Sequence, residues 1–545
     1  MLWKKQKQEK RTMSPKKTTV VGIDLGTTFS AIAHINEDTG KAEIIPSPEQ
    51  DRITPSVVLI EKVNDIIVGE IAKQNAVAEP NKVVEFVKRQ MGKPKEDKKD
   101  EQGNILVKGW CFEHEGKKYS AQEISAFILK KLKNDAEERL GTMITDAVIT
   151  CPAYFGDPER AATKEAGVIA GFNVLAVIDE PVAAALSYGL DKLKQDQNVF
   201  VFDLGGGTFD VVILEIKGGK IREVVVNGDH LLGGKDWDDE IIRYASKIFK
   251  EKYGTYPLDD LSAYQDLQLR AIKAKEELTK REKTKIMCVH AGNTLLVELT
   301  RDTFEEITKY LIDRCKVLCG IALSDANMTW QDVGAVLLVG GSTRMPMIRN
   351  MIAEISGKTP SDELNPDECV ALGAAWHAAM LSISSGDMPV EVVKRLAGVE
   401  VQKVASHNLG IIALDGDGNE RNFLMIPRFT PLPFEKKDIF KTLTDNQTSI
   451  LLRIMEGGIM GENDTCDPLD CNMIAQGSIR DIPPSPKGSP IEVAYKYNDI
   501  GILEVHGIHL PSGKEVVITV EHTGGLTAQE IKAATMNIEK ASITS

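Results

Sequence analysis

The sequence predicts a large two-lobed α/β domain followed by a smaller all-β domain, and three observations carry that prediction. A strand–turn–strand signature occurs twice, as VVGIDLGTTF at 20–29 and FVFDLGGGTF at 200–209. Around these copies apolar strands alternate with helical stretches from 18 to about 384. From about residue 403 onward helical spacing stops, and short β-runs alternate with Gly, Pro, Asn and Asp turns.

Size and composition agree. At 545 residues the chain is too long for one core, and 42% hydrophobic with 27% charged residues is the balance of a soluble globular protein. A net charge of −14 argues against coating nucleic acid. Residues 1–17 are the exception, a solvated basic tail with Lys4, Lys5, Lys7, Lys10, Arg11, Lys16 and Lys17. No apolar stretch reaches the roughly 18 residues of a membrane span, and the start lacks a signal-type apolar segment, so a cytoplasmic protein without membrane or nucleic-acid partners is expected. Eight cysteines are too sparse for a disulfide scaffold. Cys315 and Cys319 can share a helix face, and Cys466 and Cys471 lie in a loop-like stretch. With no second pair at zinc-site spacing, all are expected to be free thiols.

The repeat dictates the architecture of 18–385. Each copy is an apolar run, then Asp-Leu-Gly and a Gly/Thr turn, then a second apolar run, which is a hairpin pattern rather than a strand entering a helix. Two such hairpins imply two related lobes, each presenting an aspartate at the same edge. A third glycine motif, AVLLVGGSTRMP at 335–346, ends a buried strand in Gly340-Gly341-Ser342-Thr343 before a helix, where exposed amides favour anions. Residues 120–140, 236–247 and 265–281 have helical character, and EFVKRQMG is taken as a helical segment. The small residues of GAAWHAAM at 373–380 suit a helix lying close on a sheet. Residues 386–403 form the connector and 404–526 the β domain. The final stretch, 527–545, is helical, with Thr527 and Glu530 placed for a capping box.

The matched aspartates, Asp24 and Asp203, face a shared cleft. Two carboxylates alone fit either glycoside hydrolysis or metal binding. Beside Gly/Thr turns they suit Mg²⁺ held largely through waters, with nucleotide oxygens bridging the ion. The hydroxyls of Thr27, Thr28 and Thr208 then contact the β- and γ-phosphates. By composition Lys88 reads as a surface lysine, and Glu180 as a helix-start acid or a ligand-side acid acting through water.

These residues closely resemble the Hsp70 chaperone family over roughly 19–535. The signatures are GIDLGTTFS (22–30), CPAYFGDPERAATKEAG (151–167), VIDEPVAAALSYGL (177–190), FDLGGGTFDVVILE (202–215), NGDHLLGGKDWD (227–238), VLLVGGSTRMP (336–346) and NPDECVALGAAWHAA (365–379). The β domain is similar through LPFEKKDIFKTLTDNQ (432–447) and IPPSPKGSPIEVAY (482–495). The resemblance implies an actin-like two-lobed ATPase domain followed by a β-sandwich peptide-binding domain. It implies ATP or ADP as ligand with Mg²⁺ and K⁺, unfolded polypeptides as clients, a J-domain co-chaperone and a nucleotide-exchange factor as partners, and a monomeric state.

Residue roles implied by the resemblance follow the matched motifs. Asp24, Glu180, Asp203 and Asp210 are the acids around Mg²⁺, K⁺ and the nucleophilic water; Lys88 is the catalytic lysine, and Thr208 contacts the γ-phosphate. Gly26, Gly205, Gly206, Gly207, Gly233, Gly234, Lys275 and Asp367 are further nucleotide-binding positions, and Gly340, Gly341, Ser342 and Arg344 form the nucleoside side. Pro152 and Arg160 relay the nucleotide state to the second domain. Ile411, Leu414, Phe440, Leu443, Ile450, Leu452 and Ile482 form the pocket and arch for an extended apolar peptide, although as β-run residues they also suit plain core packing.

Three departures from the family pattern stand out. The adenine-side helix reads AIKAKEELT (271–279), with Ile272 at the acid position, Lys275 retained and Glu276 in place of the base-stacking arginine; that loss removes ~1 kcal/mol of nucleotide affinity. The leucine-rich linker is replaced by VEVQKVASHN (399–408), and the helical lid is reduced to about one helix. A sugar kinase or a filament-forming ATPase of the same two-lobed class would share the loops but has no use for the β domain. A peptide-binding or co-chaperone-like module with weak or uncoupled ATPase is the alternative the departures favour.

Overall fold

Both copies of the repeated signature fold as antiparallel hairpins. In the computed structural model, which describes residues 19–99, 103, 105–189, 195–383, 388–498, 501–519 and 525–545, Thr19–Asp24 pairs with Phe29–Asn36 and Gln197–Leu204 with Phe209–Lys217. The basic tail at 1–17 and the opening of the connector lie outside the described residues. Each hairpin's first strand has a parallel neighbour on its other side, Ile144–Cys151 in the first lobe and Ala335–Val339 in the second. Asp24 and Asp203 therefore occupy equivalent strand ends, where parallel sheets place their ligands.

The lobes differ at their edges. In the first, the sheet runs Asn173–Asp179, Ile144–Cys151, Thr19–Asp24, Phe29–Asn36, Lys41–Ile44. In the second it runs Ala335–Val339, Gln197–Leu204, Phe209–Lys217, Lys220–Asp229, and its edge is closed by Glu400–Gln402. That edge strand belongs to the stretch read as connector. The same stretch carries the helix Val390–Leu396, whose Val392 and Leu396 are buried against the lobe although charges break up its apolar run. Conversely, EFVKRQMG yields only a 3₁₀ turn, Val87–Gln90, because Phe86 takes a left-handed conformation at φ 55° and stops a helix from continuing through it.

The alanine-rich helix Cys369–Ser382 packs against the first lobe's sheet and the helix Glu180–Tyr188. Contact is backbone to backbone: a Cβ on Gly22 would lie 2.0 Å from Ala375 N, and one on Gly373 1.7 Å from Ala183 O. Small side chains are what permit this approach, and it seats Glu180 at the cleft.

The β domain is a sandwich. One sheet runs Thr465–Cys466, Glu420–Ile426, Leu409–Leu414, Ile450–Gly457, Cys471–Ile479; the other runs Phe434–Lys441, Pro490–Tyr497, Leu503–His509, Lys514–Thr519. Ile411, Leu452, Ile454, Val493, Tyr495 and Val505 fill the space between them, and the buried Tyr495 hydroxyl donates to Gly410 O at 2.7 Å. Thr527 and Glu530 form the expected capping box on the helix Ala528–Lys540. The apolar face of that helix does not lie on the β domain. Leu526, Ala534 and Ile538 enter the first lobe's core, and Ser542–Thr544 adds a parallel strand to Asp65–Ile67.

Two glycine substitutions separate close approach from mere backbone freedom. Gly373→Val is expected to cost about 3 kcal/mol, because the helices Cys369–Ser382 and Glu180–Tyr188 must part. Gly320→Ala, in the helix Lys309–Asp325 with open space at its Cβ, is expected to gain up to about 1 kcal/mol from helix propensity. Urea unfolding of both variants measures the contrast.

Candidate active site

The two hairpin turns meet across the cleft. A Cβ on Gly206 would lie 1.8 Å from Thr28 Oγ1, and one on Gly207 2.4 Å from the Thr27 methyl. Only glycine lets the second turn come this close to the threonines of the first. The second turn is then held by its carbonyls: Gly205 O accepts from Ser342 Oγ at 2.8 Å and from Gly234 N at 2.9 Å, Gly206 O from Lys235 N at 2.9 Å, and Gly207 O from Arg89 Nε at 2.8 Å. Asp236 anchors the same corner, accepting from Arg89 Nη2 at 2.6 Å and from Gly233 N at 2.8 Å. The turn Gly205–Thr208, Gly233, Gly234 and Ser342 are thereby one fixed frame around Thr27 and Thr28, with Gly26 O held by the Ser56 hydroxyl at 2.8 Å.

Four carboxylates and one ammonium occupy this frame. Lys88 Nζ donates to Glu180 Oε1, and both side chains are buried. Burial works against the lysine's charge, but Glu180 and Asp24 hold its pKa above the ordinary value. Burial and the nearby Glu180 push Asp24 up to about 7, against the pull of Lys88 and a 3.3 Å hydrogen bond from Thr150 Oγ1. Burial and Glu180 likewise raise Asp210 to about 8, although Tyr154 N donates to its Oδ1 at 3.0 Å, and Asp203 is raised well above the carboxylate range. Asp203 Oδ2 and Asp210 Oδ2 are buried with no hydrogen-bond partner among the described residues. Acceptors that have lost water and gained nothing favour cations. Among the described residues no three His, Cys, Asp or Glu side chains are arranged to hold a metal ion directly. Buried carboxylate oxygens of this kind fit a hard cation.

The opposite wall is the predicted nucleoside side. Lys275 Nζ bonds Asp238 Oδ2 at 2.8 Å and Gly234 O at 3.1 Å, which ties its helix to the phosphate-type frame. Ile272 on the same helix is half-buried and Glu276 exposed. Gly340 N donates to Pro366 O at 3.2 Å, beside Gly341, and Arg344 is fixed by Asp367 Oδ2 at 2.6 Å and Asn365 Oδ1 at 2.9 Å.

Pro152 and Arg160 lie on the segment that leaves the acid cluster for the β domain. Half-buried Arg160 pairs with Asp179 and donates to Phe155 O at 2.9 Å and Ala153 O at 2.8 Å, so it clasps the chain that begins at Pro152. From there the path crosses domains. The Tyr154 ring lies 4.7 Å from that of His407; Tyr497 Oη donates to Asp157 Oδ1 at 2.7 Å; and Asp157 N reaches Glu456 Oε1 at 3.4 Å. Burial raises Asp157 to about 6 and Glu456 well above its usual value, and pushes His407 down to about 3. The end of the connector and the first residue of the β domain join in: Lys403 Nζ donates to Val177 O at 2.8 Å, and Glu223 accepts from Val404 N at 3.0 Å. Arg89, Tyr154, Glu223, Lys403 and Glu456 were not singled out from sequence. The signals available there are the place of Arg89 beside Lys88 and of Tyr154 within the 151–167 signature.

The peptide-pocket residues divide in two. Ile411, Ile450, Leu452 and Ile482 are buried in the sandwich core with half-buried Phe440 packed on it, whereas Leu414 and Leu443 stand exposed.

Comparison with known proteins gives a consistent family. The Hsp70 protein family matches residues 20–544. The chain is 42% identical over 528 residues to the chaperone protein DnaK of Thermosipho melanesiensis, covering 95% of this chain and 83% of that protein. It is 42% identical over 530 residues to DnaK of Thermotoga petrophila, with the same coverage, and 41% identical over 528 residues to DnaK of Thermosipho africanus, covering 95% and 82%.

The raised carboxyls make the ligand-free fold pH-sensitive. Asp24 and Asp210 bind protons more tightly folded, at about 7 and about 8, than at their ordinary value of 3.8. Their contribution is fully present below about pH 4 and is lost as pH rises through 7 to 8. The nucleotide-free protein is expected to melt lower at pH 8.5 than at pH 6, and Asp210→Asn to narrow that difference. Calorimetry of both proteins at the two pH values measures it.

Proposed function

This chain belongs to the Hsp70 family, and from that premise we propose that its cleft hydrolyses ATP with Lys88, Glu180, Asp203 and Asp210 as the working residues. At the family level it is an ATP-dependent chaperone that binds peptide. The finer reading rests on one observation, the opposed Gly/Thr turns of the two lobes framing the buried Lys88–Glu180 pair between Asp24 and Asp203.

Phosphoryl transfer to water needs positioning and charge stabilisation more than covalent help. In this reading Thr27, Thr28 and Thr208, with the amides of Gly26, Gly206 and Gly207, hold the phosphates, and Lys88 orients the attacking water. The water's oxygen bonds to the γ-phosphorus as the bond to the bridging oxygen breaks. Its proton passes to the Asp203 or Asp210 carboxylate, both of which hold protons readily when buried. Mg²⁺, held through waters by Asp24 and Asp203, would neutralise phosphate charge, with K⁺ in the same acidic cluster. Lys275, Gly233, Gly234, Gly340, Gly341, Ser342, Arg344 and Asp367 hold the nucleoside.

The β domain takes extended apolar segments of unfolded polypeptides, with Ile411, Phe440, Ile450, Leu452 and Ile482 shaping the pocket and Leu414 and Leu443 arching over the strand. Pro152 and Arg160 pass the nucleotide state along the segment that meets Glu456 and Tyr497. A J-domain co-chaperone and a nucleotide-exchange factor are the partners this cycle calls for. The cytoplasm is its proposed location, and eight free cysteines support a reducing compartment. A weak or uncoupled ATPase is the second reading, favoured by the exposed Glu276 on the adenine-side helix.

Lys88→Ala is expected to leave ATP binding nearly intact while nearly abolishing hydrolysis, since the lysine acts mainly in the transition state. Single-turnover rates decide it, and a rate within about twofold of wild type would remove Lys88 from the mechanism. Steady-state ATPase with a Leu-rich heptapeptide separates the two readings, since peptide stimulation belongs to the coupled cycle alone. Glu276→Arg is expected to tighten ATP binding about fivefold, the equivalent of ~1 kcal/mol of guanidinium stacking, read by isothermal titration.

A further inference from the structure

Cys466 and Cys471 are five residues apart in sequence but at opposite edges of one sheet. Cys466 lies in the edge strand Thr465–Cys466 and pairs with Asn422, whereas Cys471 opens the other edge strand and pairs with Gly457. The sheet curls so that these edges meet, and the two Sγ atoms stand 3.4 Å apart. Nothing larger than glycine fits beneath them: a Cβ on Gly458, at φ +77°, would lie 2.5 Å from Cys466 Sγ and 2.7 Å from Cys471 Sγ. Asn422 Nδ2 lies 3.3 Å from Cys471 Sγ and 3.7 Å from Cys466 Sγ, which points an N–H donor at the sulfur pair. The residues between are already folded back, since Asp467 Oδ1 accepts from Leu469 N at 2.9 Å and caps the 3₁₀ turn Pro468–Asp470. A disulfide, with sulfurs about 2.05 Å apart, needs only a small further closure.

We propose that Cys466 and Cys471 are a redox-active dithiol whose oxidation by a low-molecular-weight disulfide joins the two edges of the five-stranded sheet. Cys466 is buried and Cys471 half-buried, so Cys471 meets the oxidant first. Its thiolate attacks one sulfur of the oxidant, the oxidant's S–S bond breaks, and one thiolate leaves. Cys466 then gives up its proton and attacks Cys471 Sγ, releasing the second thiolate. Two protein thiols become one disulfide, and two electrons and two protons pass to two small thiols. Burial and the Cys466 thiol hold Cys471 up at about 12, which makes the pair slow and sets it apart from a catalytic dithiol.

The bridge would act on a particular piece of backbone. Gly457 and Gly458 have φ of +96° and +77°, and Asn408 holds both, accepting from Gly457 N through its carbonyl and donating to Gly458 O, each at 2.9 Å. Glu456, which meets Asp157 of the first lobe, immediately precedes them. Oxidation therefore fixes the segment that carries Glu456 across the domain boundary.

The test uses the full chain, incubated with oxidised glutathione, quenched by alkylation and mapped by peptide mass. The expected result is a Cys466–Cys471 disulfide, seen as a loss of about 2 Da and of two alkylatable thiols, reversed by dithiothreitol, with slower amide exchange over 457–471 in the oxidised form. Cys466→Ser is expected to trap the mixed disulfide on Cys471, and Cys111→Ser to change nothing at the pair. Two thiols that remain alkylatable in wild type, or a stable glutathione adduct on Cys471 that never resolves, would overturn the proposal. Should Cys466→Ser fail to fold, the wild-type mass and exchange data decide alone.

Discussion

A buried ammonium cannot stand alone in a protein interior, and Lys88 is the point around which the cleft is organised. Removing one partner of a buried pair commonly costs 3–5 kcal/mol, because an uncompensated charge stays behind. Glu180 is delivered to Lys88 by a helix start, that helix is positioned by the alanine-rich helix pressed on it, and that contact exists because Gly373 has no side chain. Asp24, Asp203 and Asp210 then stand around a single positive charge. The cluster is left electrostatically incomplete, with more carboxyls than cationic side chains to balance them. The raised pKa values of these acids and the shortage of positive charge among them are two aspects of one arrangement.

Much of this was legible in the sequence because the lobes repeat. Asp24 and Asp203 could be matched from two turns, and the hairpins, the strand–helix order and the Thr527–Glu530 cap followed from local pattern. What local pattern cannot carry is pairing across the chain. Lys88 reads as a surface lysine because its partner lies 92 residues away, and Arg89 finds Gly207 and Asp236 across 118 and 147 residues. The helix Val390–Leu396 and the strand Glu400–Gln402 escape local pattern for a related reason. The helix's buried residues, Val392 and Leu396, are spaced to enter a lobe already built, and a sheet edge waits for Glu400–Gln402. The Cys466–Cys471 contact was likewise hidden, since only sheet curvature brings the edges together.

The boundary between the domains is chemically unlike either core. It joins a tyrosine hydroxyl, two carboxyls of raised pKa and a histidine of lowered pKa, and a separate ion pair, Arg428 with Asp325 at 2.9 Å, ties the β domain to the second lobe. Such polar contacts, unlike a continuous apolar seam, can be made and broken as units. That suits surfaces whose engagement depends on what fills the cleft.

The terminal segment has a consequence for how the protein is made. Ser542 pairs with Asp65, and Ile538 sits in a core otherwise assembled from the first third of the chain. Ribosomal synthesis delivers residues in order, so the first lobe emerges early with one sheet edge unpaired and an apolar seat uncovered. It stays so until the whole β domain has been translated. During that interval the nascent lobe offers the kind of surface its own family exists to shield.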